Sequence, residues 1–307
     1  MKKNKSENKK QDNIIQKIES IISEGFQGAD IPLNSDKVTN AFGRPVLFSN
    51  SRDIATSIGT SSTGLRTAIN LEDDELVNNI KFLSYAACQH LAMVIHNANC
   101  SHPFYNMASE TGCAQLFASS SQEVIDFALI SRRIAELSLI PTICASDILE
   151  NNDQVIIPED DFIHNYLGNP DEMIESPTAS QRMIFGNNRR RIPIWFNLNF
   201  PSANGLKKDI ESEGLQIAAK QEYFYAHLAD LTNQAFNEFN ELTGKQYSLI
   251  GAYQLENAEH VVLTQGSAFN KVKKVVDNLR SQGRKVGCVN LTVMRPFPEA
   301  ELLKLLN

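Results

Sequence analysis

G-A-Y-Q-L-E-N-A-E-H-V-V-L-T-Q-G-S from Gly251 to Ser267, followed by K-V-G-C-V-N-L-T-V-M-R-P-F-P from Lys285 to Pro298, sets out one complete βαβ unit. His260 to Thr264 is a short β-branched run that ends at Gly266-Ser267. Ala268 to Ser281 then places Val272, Val275, Val276 and Leu279 at helical spacing, and Gly283 stops the helix. Lys285 to Val293 resumes as a second strand. A unit of this kind lays its two strands parallel, with the helix as the crossover between them.

The remaining segments repeat the same alternation. Asp12 or Asn13 can cap a helix that runs to Glu24, because Ile14, Ile15, Ile18, Ile21 and Ile22 form one stripe, and Gly25 reads as its stop. Pro45 to Ser49 reads as a strand. Phe82 to His96 is apolar enough to be strand, buried helix, or one after the other, and periodicity alone leaves these open. Ser120 and Glu123 stand at capping-box spacing, and Val124, Ala128, Ile134, Ala135 and Leu137 continue as a buried helical face. Leu139 to Ala145 follows as a parallel strand ending at Asp147. Asn151 to Arg191 reads as a long polar connection with local helices, and Glu213 to Leu242 as strongly helical.

These features resemble those of the pyruvate:ferredoxin (flavodoxin) oxidoreductase family. In that family's second domain aspartate-alanine-glutamate and a hydrophobic strand lead to glycine-serine, a helix, lysine-valine-glycine, another strand and an arginine-proline-phenylalanine-proline exit. Here the corresponding residues are Asn257-Ala258-Glu259, Gly266-Ser267, Lys285-Val286-Gly287 and Arg295-Pro296-Phe297-Pro298. Upstream, Glu241 to Tyr247 is similar to the linker into that domain. Ala118 to Glu123 and Ile140-Pro141-Thr142 are similar to parts of the first, thiamine-pyrimidine-handling domain. The resemblance implies an α/β fold: a doubly wound, mostly parallel sheet like a thiamine-pyrimidine domain, then an incomplete second α/β domain like the transketolase carboxyl-terminal domain. The boundaries it implies are a disordered tail at 1–13, the first domain at 14–243 and part of the second at 244–307.

Length and composition fit that organisation. A chain of 307 residues with 42% hydrophobic content can fill two cores. A formal charge of -7 argues against a nucleic-acid-binding surface. No apolar stretch is long enough to span a bilayer, and the lysine-rich Met1 to Lys10 lacks the apolar centre of a signal peptide, so the expected address is cytoplasmic. The five cysteines, Cys88, Cys100, Cys113, Cys144 and Cys288, have no pair at the spacing of metal or iron–sulfur sites and read as buried thiols.

The chemistry implied by the resemblance needs a carboxylate against the aminopyrimidine of thiamine diphosphate, a group to hold the 2-oxoacid carboxylate, and a divalent metal at the diphosphate. At the carboxylate position this sequence has Arg52, with Asp53 one step on. The run resembling the substrate-binding arginine segment is Ala86-Ala87-Cys88-Gln89, which has no cation, and the later acidic run survives only as Asp147. No counterpart of the family's threonine-bearing loop is evident. The expected reading is the amino-terminal portion of a 2-oxoacid oxidoreductase, inactive as an isolated chain, with no catalytic residue and no metal site of its own. Thiamine diphosphate and magnesium are implied by the family only. The alternative is a non-catalytic assembly module of a sulfite-reductase-type redox complex. Either reading expects other domains or subunits as partners, in a homo- or hetero-oligomer, and excludes nucleic acid and membrane.

Asp53, Gly266 and Ser267 remain as cofactor-contact candidates, the last two because a helix start can hold an anion as well as a simple cap. His96, Cys100 and His102 lie close in sequence but lack a further ligand at recognised spacing. Arg189-Arg190-Arg191 before Ile192 to Phe196 reads either as a docking surface or as a solvated loop. Ser119-Ser120-Ser121 reads as a helix cap.

Overall fold

The computed structural model describes residues 14–28, 38–147, 155–196 and 221–306. The expected tail at 1–13 and the proposed cap at Asp12 or Asn13 lie outside them, as does the first part of the helix expected from Glu213. Residues 14–22 form α1, which buries Ile15, Ile18 and Ile22. Gly25 does not stop this helix; it opens β1 (Gly25–Gln27), where a Cβ would lie 2.8 Å from Thr60 Cγ2. Small size at a close approach, rather than capping, is what the glycine supplies. β2 (Leu47–Ser49), α2 (Ile54–Ser62) and β3 (Thr67–Asn70) follow.

The ambiguous apolar stretch resolves into two elements. After α3 (Asp73–Asn78) comes α4 (Ile80–Cys88), a turn with His90 at φ +55°, and β4 (Met93–Ala98). α5 (His102–Met107) and β5 (Ala114–Ala118) lead to α6 (Ser121–Ser138), capped by Ser120, whose side chain accepts from Glu123 N at 3.2 Å. Leu139 does not begin the next strand. It is a left-handed cap at φ +56°, and β6 starts at Thr142 and runs to Ser146.

The connection holds α7 (Asp160–Leu167), a hairpin of β7 (Met173–Glu175) and β8 (Asn188–Arg190), and α8 (Ala179–Phe185) between the hairpin strands. α9 (Leu228–Thr243) ends at Gly244, φ +71°. The last part comprises β9 (Ile250–Tyr253), β10 (His260–Thr264), α10 (Ala268–Ser281), β11 (Val286–Leu291), β12 (Val293–Arg295) and α11 (Glu299–Leu306).

The main sheet has seven strands in the order β12-β5-β6-β4-β3-β1-β2, all parallel except β12, which pairs antiparallel with β5. Period-two alternation sends side chains to two separate cores. Ala68, Val94, Leu116 and Cys144 face α1, α6, α7 and α9. Ile69, Ile95, Phe117 and Ile143 face α3, α4 and α5. The sheet is therefore doubly wound and mostly parallel, covered on both faces as its apolar strands require.

The βαβ unit forms as its sequence dictates, with β10 parallel to β11 from His260↔Val286 to Thr264↔Asn290. β9 adds antiparallel on the other side of β11. The strand expected from Lys285 to Val293 breaks at Thr292: β11 stays in the three-stranded sheet, while β12 continues onto the edge of the larger one. Leu249, Ile250, Val289, Leu291 and Val293 consequently share one apolar cluster with α6 and α9.

Candidate functional site

Ligands of parallel α/β sheets bind outside the carboxyl ends of the strands, where loops diverge and backbone groups are free. Along that edge the chain places the segments after β2, β3, β4 and β6, with the start of α10 laid across them. The polar side chains here form three groups.

The first group follows β2 and β3. The guanidinium of Arg52 lies 2.6 Å from Glu72 and 3.1 Å from Glu75, so the cation expected to oppose a cofactor is spent on two carboxylates of its own chain. Asp53 is exposed and acts as the cap of α2, accepting from Ala55 N at 3.1 Å and from Thr56 Oγ1 at 2.7 Å. The Thr56 hydroxyl, then the Ala55 amide, hold its carboxyl below the ordinary aspartate value.

The second group ties the ends of β3 and β4. Asn97 donates to Leu71 O at 2.9 Å and to Asp73 at 3.3 Å, and the other oxygen of Asp73 accepts from Ser101 N at 2.9 Å. The third group joins β6 to the second sheet. Asp147 accepts from Ser267 N at 2.9 Å and from Ser267 Oγ at 2.7 Å, so the positive end of α10 already faces a carboxylate. Gly266, φ +71°, passes so close to Phe117 that a Cβ would come within 2.5 Å of the ring. His102 stacks on Phe117 at 4.8 Å and contacts Gln265 at 3.1 Å. Asn270 donates to Ser119 O at 3.0 Å, while Glu123 accepts from both the amide and the hydroxyl of Ser119.

His96, Cys100 and His102 do not converge. His96 is buried under α1, with Nε2 2.6 Å from Glu19; Cys100 is buried where burial raises its thiol pKa; and His102 faces Gln265. Among the described residues no group of three or more histidine, cysteine or acidic side chains is arranged to hold a metal. Cys88 and Gln89 close α4 ahead of β4, at the opposite edge of the sheet from Arg52 and Asp147. Glu110 is 90% exposed and reaches Arg295 at 3.3 Å.

An aminopyrimidine requires an acid that aims into an open cleft. Of the acids that follow the strand ends, Asp53, Glu72, Asp73, Glu75 and Asp147 each serve a partner within the chain, and Asp74 is an exposed side chain of α3. Those five carboxylates are therefore committed within the chain rather than presented to an aminopyrimidine.

The arginine run is neither a docking surface nor a solvated loop, because its side chains turn inward. Arg189 and Arg191 are buried, and Arg190 donates to Gly64 O at 3.0 Å and Ile192 O at 2.6 Å. This buried ionic layer was missed from sequence. Its signal was the presence of Glu19, Arg132 and Glu136 among otherwise apolar residues of α1 and α6, which pair as Arg132–Glu19 and Arg66–Glu136.

Residues 258–307 match the family described as pyruvate:ferredoxin oxidoreductase core domain II. The pyruvate synthase subunit PorA of Thermotoga maritima is 28% identical over 213 residues, covering 69% of this chain and 50% of that protein. PorA of Pyrococcus furiosus is 26% identical over 267 residues, covering 82% of this chain and 62% of that protein. A probable pyruvate-flavodoxin oxidoreductase of Escherichia coli is 30% identical over 200 residues, 64% of this chain and 16% of that protein. Among solved structures, the 2-oxoglutarate:ferredoxin oxidoreductase of Magnetococcus marinus superposes with a TM-score of 0.59 over 96% of this chain and 54% of that one, at 14% identity. These matches bear out the family resemblance read from the sequence and the mostly parallel α/β fold that it implied. The chain spans only half to about three-fifths of the PorA subunits it matches.

Proposed function

We propose that this chain, a relative of the pyruvate:ferredoxin oxidoreductases, is the amino-terminal portion of a 2-oxoacid oxidoreductase-like assembly and is inactive by itself. In this reading, residues 14–243 are the pyrimidine-domain-like unit and 244–307 part of the second domain. Other domains or subunits supply the diphosphate site with its divalent metal and the electron-transfer centres, and the assembly works in the cytoplasm. Among the described residues no helix is long and apolar enough to cross a membrane.

The observation that carries the inactivity is the engagement of Arg52 by Glu72 and Glu75, at 2.6 and 3.1 Å, where the family places its pyrimidine-facing acid. A cation held in that way repels a protonated pyrimidine, and the carboxylates that hold it are no longer free to accept its proton. Calorimetric titration of the chain with thiamine diphosphate and magnesium should therefore give no saturable heat. Tight binding would overturn the proposal. The consumed acids favour a second reading, in which the chain is a non-catalytic assembly module of a sulfite-reductase-type complex. Co-purified partners separate the two: iron–sulfur and thiamine chromophores support the first, flavin or sirohaem the second.

A further inference from the structure

We draw no further inference here: the strongest candidate, the apolar edge of the smaller sheet at β10 with Val261, Val262 and Leu263 exposed, carries none because among the described residues nothing shows what covers it.

Discussion

Single residues in this chain are governed by where charge can be tolerated. Glu19 is fully buried, which alone would raise its carboxyl, but the Arg132 guanidinium, followed by the hydrogen bond and charge of His96, outweighs burial and holds it at about 2. A carboxylate lowered in this way stabilises the fold fully above the ordinary glutamate value of 4.5, and the contribution disappears as pH falls towards 2. Urea unfolding at a series of pH values should therefore show stability falling across that acid window, with the slope flattened in Glu19→Gln. Glu136 poses the complementary case, because removing it leaves Arg66 buried with no carboxylate. Glu136→Ala should cost about 3–5 kcal/mol in chemical denaturation. Gly266 is fixed by conformation and space together: at φ +71° with Phe117 2.5 Å from a Cβ, Gly266→Ala should cost about 1–3 kcal/mol, measured by thermal melting.

At the scale of elements, the joints between the two sheets are the decisive feature. β12 leaves the smaller sheet and pairs with β5, Thr292 O accepts from Phe117 N at 2.8 Å, and Val293 is fully buried. Val293→Asp would bury an unpaired carboxylate in that seam. The expected result is faster hydrogen exchange at the amides of β5, reflecting a loss of local stability of at least about 2 kcal/mol. The linker into the smaller sheet is anchored as well. Asp126 on α6 accepts from Tyr247 Oη at 2.6 Å and from Gln122 at 3.1 Å, and pairs with Lys245. Phe127, Phe236, Phe239 and Tyr247 stack edge to face or tilted around that anchor. Helix caps were legible because Ser120 and Glu123 act within one turn. The arginine run was not, because Arg189 to Arg191 find their acceptors on α6 and around Gly64 and Glu172, distant in sequence.

At the scale of the whole molecule, among the described residues the smaller sheet leaves β10 as an edge with Val261, Val262 and Leu263 exposed at 37%, 42% and 58%. Such an edge offers unpaired backbone groups and apolar side chains to a neighbouring chain. Leu263→Lys should reduce concentration-dependent association in light scattering without shifting the melting temperature. The alternation of strand and helix, the βαβ unit and the buried stripe of α6 followed from sequence alone, since local periodicity decides which face of an element is apolar. What only the tertiary structure decided is how the polar residues are used. Asp147 caps α10, Arg52 binds Glu72 and Glu75, and Arg66 meets Glu136 on the buried face of α6, because those pairings join residues that meet only when the sheets have formed, and no local spacing encodes them.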